Sequence, residues 1–170
     1  ALKQQSMQVV DQEYGGFGQD AKYPMSPQLL ALLKLQPQLN PQLSNDLKLT
    51  LDAMLKGGLH DALEGGFFRY TPDRLWRTPH YEKMLYDNAQ LALVYLKASQ
   101  VFNEDKYLRV AESTLNFLQK KFLLPQGGFV SSLSAVDDRG RDGGYYLWSE
   151  KELTDLLTNE QFKLVKQYWQ

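Results

Sequence analysis

Gly65-Gly66-Phe67, near the middle of the chain, repeats a triplet present earlier as Gly15-Gly16-Phe17 and later as Gly127-Gly128-Phe129. Each copy stands just after or between segments of helical periodicity, so the spacing predicts a repeated unit of roughly 50 to 60 residues. Paired glycines let the backbone leave a helix at positive φ, and the aromatic that follows can pack where the chain re-enters the structure. The chain therefore reads as all-α, built of stacked helix pairs joined by glycine-aromatic loops.

Outward from the triplets, Ser26-Pro27-Gln28 has the order of an N-cap followed by an N1 proline, and Leu29, Leu30, Leu32 and Leu33 follow. A helix over about 27–36 is expected. Between Ser44 and Lys56, the residues Leu47, Leu51, Met54 and Leu55 line one helical face that Gly57-Gly58 ends. Two long helices are predicted over about 80–101 and 104–121, with Asn103 as N-cap of the second and Lys120-Lys121 against its negative end. Ser149 with Glu152, and Thr158 with Gln161, have capping-box spacing and predict two short closing helices. Phe67 to Trp76 around the turn Thr71-Pro72-Asp73-Arg74, and Phe129 to Trp148 around Asp137 to Gly144, read as small β-hairpin flaps in the connections.

With 170 residues the chain is expected to form one domain, long enough to bury about 70% of its unfolded surface. A net charge of -1, from 19 basic and 20 acidic side chains, gives no long-range pull towards nucleic acid or an anionic membrane. No cysteine is present, which excludes disulfides, thiolate metal sites and redox motifs within these residues. No apolar run approaches the ~20 residues that span a bilayer, and no signal-peptide stretch opens the chain. A cytoplasmic setting is the default expectation. The start at Ala1 suggests a piece of a longer protein.

The segment Trp76 to Asn88 concentrates groups capable of chemistry. Read as N-cap and N1, Thr78 and Pro79 place His80 in a first helical turn, with Lys83 and Asp87 on the same face and Glu82 pointing elsewhere. A histidine beside a carboxylate can act as general acid or base, whereas a simple Lys83–Asp87 pair with His80 filling space is the plainer alternative. If the repeats bring their loops around a hollow, Asp61, Arg69, Tyr70, Trp76, His80, Glu82 and Asp87 converge there. Arg69 would grip a carboxylate, phosphate or sugar hydroxyls, or else pair with Asp73 or Glu64. The Asp138-x-Gly140-x-Asp142-Gly143 run resembles a calcium loop but carries Ser149 at its twelfth position, so its oxygen cage is incomplete. Phosphate loops, dinucleotide fingerprints, nucleophile elbows and zinc-protease helices are lacking, and His60 and His80 are the only histidines. No metal or cofactor is expected.

Gly15-Gly16-Phe17-Gly18 with Lys22-Tyr23-Pro24, Gly57 to Tyr70, and above all Pro79-His80-Tyr81-Glu82-Lys83-Met84-Leu85-Tyr86-Asp87-Asn88-Ala89 carry a resemblance. They look like the helical part of the thioredoxin-domain-containing, spermatogenesis-associated protein family. The resemblance covers most of residues 13–150 and implies an (α/α)6 toroid similar to N-acylglucosamine 2-epimerases and six-hairpin glycosidases. This chain would be a partial toroid of helical hairpins with small β-hairpin flaps, and a thioredoxin-like domain would lie elsewhere in the full-length protein. Where the family tends to show an Asp-Ala-Asp run, this chain has Ser134-Ala135-Val136, which removes an acidic position.

The resemblance implies a carbohydrate-type cavity with a saccharide ligand and acid–base chemistry of the epimerase or glycosidase kind. His80, Glu82 and Asp87 are then the candidate catalytic residues, and Asp61, Arg69, Tyr70, Trp76 and Asn88 the candidate substrate-binding ones. The alternative is a non-catalytic helical scaffold that binds a protein or sugar and positions a redox domain. A partial ring leaves apolar edges, so self-association is expected.

Overall fold

The computed structural model describes residues 9–168. It divides into two compact units, Ala1–Ala135 and Val136–Gln170.

In the first unit, α1 (Ser26–Leu35) leads through a single 3-10 turn into α2 (Pro41–Lys56). Asn40 starts α2 by accepting the Leu43 N–H at 2.8 Å, with Pro41 at N1, and the helix stops at Gly57. After a long connection come α3 (Leu85–Phe102) and α4 (Asp105–Lys121), an antiparallel hairpin. Asn103 turns it in the left-handed conformation at φ 52°. Its side chain was expected to cap α4, but the residue serves the turn instead, which a short polar side chain tolerates at positive φ.

Helix α1 packs on α3, and apolar faces from all four helices form one core: Leu29, Leu32 and Leu33 from α1, Leu47, Leu51 and Met54 from α2, Leu91, Val94 and Tyr95 from α3, and Tyr107 from α4. Polar tips in this core are satisfied. The Tyr95 hydroxyl donates to the Leu51 carbonyl at 2.9 Å, and the Tyr107 hydroxyl donates to Asp52 at 2.7 Å.

The long helix expected from residue 80 begins five residues later, at Leu85. Local spacing makes Thr78-Pro79 look like a cap, yet the backbone from His80 to Met84 finds partners across the fold. His80 N–H donates to the Tyr70 carbonyl, and the short strand β1 (Lys83–Met84) pairs antiparallel with β2 (Ser132–Leu133). Cross-strand partners satisfy these amides, so the helical alternative loses. His80, Lys83 and Asp87 therefore do not share a helical face. The expected hairpin from Phe67 to Trp76 is likewise replaced, since Tyr70 pairs with His80 and Thr71 with Lys22.

The glycine-aromatic triplets form related tight turns. Asp11 donates its N–H to the Gly16 carbonyl and accepts from the Gly15 N–H; Asp61 does the same with Gly66 and Gly65. In each turn one carboxylate oxygen accepts the N–H groups two and three residues on. The other oxygen meets a fully buried lysine: Lys22 reaches Asp11 at 2.8 Å, and Lys83 reaches Asp61 at 2.7 Å. The same lysines also donate to the Gly18 and Gly65 carbonyls. We call this arrangement a clasp. The third turn, with Leu124 N–H bonded to the Gly128 carbonyl, has leucine where the others have aspartate.

Helices crowd the first two turns. A Cβ added at Gly66 would stand 2.4 Å from a Phe117 ring carbon and 2.9 Å from Asn88 Oδ1, whereas one at Gly128 meets nothing within 4 Å. Both glycines have positive φ. Gly128→Ala is therefore expected to cost only about 1–2 kcal/mol for its left-handed backbone, while Gly66→Ala adds the displacement of Phe117 and loses at least about twice as much. Urea unfolding of both variants checks this, and equal losses would show the packing to be slack.

In the second unit, Asp137 accepts the N–H groups of Arg139 and Arg141 and pairs with the Arg141 guanidinium at 2.7 Å. The expected short helices are there. Helix α5 (Glu150–Leu156) opens with the reciprocal Ser149–Glu152 capping box, and α6 (Asn159–Tyr168) with reciprocal Thr158–Gln161 bonds. Tyr145 and Tyr146 lie in a turn, and Leu147 and Trp148 in irregular chain, not in a strand.

Candidate functional site

A cleft of about 410 Å³ lies where the N-terminal ends of α1 and α3 meet, with Tyr23, Gln28, Arg69, Tyr86, Asp87 and Gln90 in its wall. Met25, at φ 51°, bends the chain into α1 and joins that wall.

Asp87 sits in the first turn of α3. Burial raises its carboxyl to about 6; Arg69 pulls the value down and Glu82 pushes it up. A carboxyl that titrates near neutrality can both give and take a proton under physiological conditions. Arg69 is engaged elsewhere: its Nη1 donates to Glu82 Oε2 at 3.0 Å, and its backbone N–H donates to the Glu82 carbonyl at 2.9 Å. Neither Asp73 nor Glu64, the partners considered from sequence, holds it.

Three rings stand in a pile beside the cleft. Tyr23 stacks on Tyr70 at 4.7 Å and 8°, and Tyr70 stacks on His80 at 5.1 Å and 18°. Tyr23 is 47% exposed although its inner face is covered, so the outer ring face is open. His80 forms the inner end, with Nδ1 buried and without a hydrogen-bond partner among the described residues.

Of the eight residues singled out from sequence, Arg69 and Asp87 line this cleft. Glu82, Tyr70 and His80 stand behind it, holding Arg69 and Tyr23. Asp61, Trp76 and Asn88 do not reach it, because each is occupied in holding the fold. Asp61 closes a clasp. Trp76, 1% exposed and at φ 61°, sends its indole N–H to the Tyr14 carbonyl at 3.1 Å. Asn88 grips the second turn, accepting the Phe67 N–H at 2.7 Å and donating to the Phe67 and Met84 carbonyls. Lys83 is paired with Asp61 and not, as the plainer alternative from spacing had it, with Asp87 among the described residues. Tyr23, Gln28, Tyr86 and Gln90 were not singled out from sequence. Tyr23 had a signal in the Lys22-Tyr23-Pro24 motif, and Tyr86 lies within the Pro79-to-Ala89 run.

Human spermatogenesis-associated protein 20 is 38% identical over 166 residues, which cover 91% of this chain. The mouse protein is 39% identical over the same length. The chain is a homologue of one part of spermatogenesis-associated protein 20. It spans 21% of the length of those relatives, so the homology concerns a segment of them. No family model matches the chain.

Among solved structures, a sugar epimerase from a ruminal bacterium superposes with a TM-score of 0.69 over 98% of this chain and 50% of that one, at 14% identity. Cellobiose 2-epimerase from Spirochaeta thermophila gives 0.68 over 78% and 36%, at 20% identity. A family 76 glycoside hydrolase from a bovine Bacteroides thetaiotaomicron strain gives 0.53 over 86% and 34%, at 17% identity. At such identities the likeness is one of fold: this chain is a partial (α/α)6 toroid with a small two-stranded sheet. No helix among the described residues is long and apolar enough to cross a membrane.

Proposed function

We propose that the cleft between the N-terminal ends of α1 and α3 binds a saccharide and performs acid–base chemistry on it, with Asp87 as the proton carrier. The near-neutral titration of Asp87 beside an open aromatic face carries this reading. Arg69, Gln28 and Gln90 supply hydrogen-bonding groups for hydroxyls, and Tyr23 supplies a flat apolar surface for the C–H face of a sugar ring. Two reaction classes can use a titrating carboxyl here, proton abstraction beside a carbonyl and cleavage of a glycosidic bond. The second needs another carboxylate from a later part of the ring. The fold shared with sugar epimerases and a glycoside hydrolase supports the carbohydrate class as an analogy of architecture.

The same proposal places this segment in a longer cytoplasmic polypeptide with a thioredoxin-like domain. Isolated, the segment self-associates, because Leu93 and Leu96 on α3 and Leu108 and Leu115 on α4 leave apolar side chains exposed. Light scattering checks this, and a monodisperse monomer overturns it.

The competing reading is a helical scaffold that positions a redox domain. It draws support from Lys83 and Asn88 in the most distinctive run of the sequence, and from Trp76 just before it, all buried in structural contacts. A panel of free saccharides and sugar phosphates, offered to the full-length protein and followed by thermal shift and by NMR for turnover, separates the two. Stabilisation with chemistry supports the enzyme; neither, across the panel, supports the scaffold.

A further inference from the structure

Arg69 and Asp87 share one wall of the cleft, yet no ion pair joins them among the described residues; the arginine is turned to Glu82. That choice of partner is costly to explain by stability alone. The Arg69 and Glu82 side chains are 43% and 25% exposed, and an ion pair so open contributes little. Its placement is nonetheless fixed from both ends. Glu82 is tied to Arg69 through the backbone bond as well as the side chain, and it lies three residues before α3 begins.

We propose, building on the reading of Asp87 as proton carrier, that Glu82 is a positioning residue that holds Arg69 away from Asp87 and so keeps the Asp87 carboxyl unpaired for its ligand. The groups facing Asp87 are few. Arg69 and Glu82 come from the connection before α3, Tyr86 from α3 itself, Tyr23 from the segment before α1, and the uncharged Gln28 from α1. Arg69 is the one cation of the wall among the described residues. Released from Glu82, it has the Asp87 carboxyl in the same wall as its remaining acidic neighbour, and a guanidinium moved beside a carboxyl stabilises the ionised form. The Glu82–Arg69 pair thus works as a holder: the arginine remains available to orient a hydroxyl while the acid keeps its proton near neutral pH.

The test is an NMR titration of the protein labelled with 13C at aspartate carboxyls, with Asp87→Asn identifying the resonance. Wild type, Glu82→Gln and the double variant Glu82→Gln/Arg69→Gln are compared. Glu82→Gln is expected to lower the Asp87 midpoint by roughly one pH unit or more, and the double variant to restore it to the wild-type value or above. The Glu82 charge acting through space shifts the midpoint equally with or without Arg69, so the single variant Arg69→Gln closes the cycle, and strictly additive shifts overturn the positioning role. With a wild-type midpoint near 6, an unchanged midpoint in Glu82→Gln overturns the positioning role, as does a lowered midpoint that the double variant fails to restore. A wild-type midpoint near 4 removes Asp87 as proton carrier and the holder with it. The expected pattern in a protein that turns over no saccharide supports the holder and counts against the carbohydrate reading only.

Discussion

Lys83→Met unfolds the first unit at markedly lower denaturant than wild type, with an expected loss of about 3–5 kcal/mol. The lysine is fully buried, its ammonium lies 2.7 Å from Asp61 and 2.9 Å from the Gly65 carbonyl, and the rings of Phe117 and Phe68 lie 4.4 and 4.8 Å away. Burial lowers the lysine, and the Asp61 carboxylate works against that shift. Removing the ammonium strands the Asp61 carboxylate, whose side chain is only 10% exposed, and leaves the Gly65 carbonyl short of a donor. Methionine fills most of the volume, so the loss reports charge rather than cavity. The double variant Lys83→Met/Asp61→Asn removes both charges, and the asparagine carbonyl can still accept the Leu63 and Glu64 N–H groups that Asp61 holds at 3.0 Å. It should recover at least half of the loss in urea unfolding. If the single and double variants are equally unstable, the lysine acts through packing and not through its pair.

Asp87→Asn should abolish most of any turnover, by roughly 10²–10⁴-fold, while making the fold more stable at neutral pH. The two effects share one cause. Asp87 is raised to about 6 by burial, against an ordinary 3.8, so the folded state prefers the protonated acid. The unfolded chain releases that proton at lower pH than the folded one, and stability therefore falls as pH rises from about 4 to about 6, then levels off. Asparagine never ionises. The variant gains nothing below pH 4 and gains most above pH 6, on the order of 1–2 kcal/mol once water at this half-open position is allowed for. Thermal melts at pH 4 and pH 7.5 read the difference directly. A variant that melts below wild type at pH 7.5 would show Asp87 to be a structural anchor, and the loss of turnover would then carry no catalytic meaning.

The architecture was legible because its determinants are local. Alternating leucines, Asn40-Pro41 before α2, Gly57 after it and the Ser149–Glu152 box all act within a few residues of one another. The triplets announced the repeat for the same reason. What stayed hidden depends on distant partners. Thr78-Pro79 satisfies every local rule for a helix start, and only the carbonyl of Tyr70 and the strand at Ser132–Leu133 draw the following residues into extended form. Asp11 and Asp61 each precede a glycine pair by four residues, a regularity visible on the page. Their lysines follow at 11 and 22 residues, so no fixed spacing links acid to base. The site was half legible: Arg69 and Asp87 belong to a suggestive run, but Tyr23 and Gln28 join them only because α1 and α3 pack side by side. A charged residue in a loop reads as solvated, and burial reverses that reading for Asp11, Lys22 and Lys83.

The clasps bear on where such a chain can keep its shape. Lys22 and Lys83 each fasten a loop to a distant stretch of backbone, the task that a secreted domain of comparable loop content often gives to cystine, yet this chain holds no sulfur pair to form or break. An electrostatic rivet sealed from water is indifferent to the thiol–disulfide balance around it and is shielded from dissolved salt. The unit can therefore sit beside chemistry that continually makes and breaks disulfides without its own loops being remodelled by that traffic.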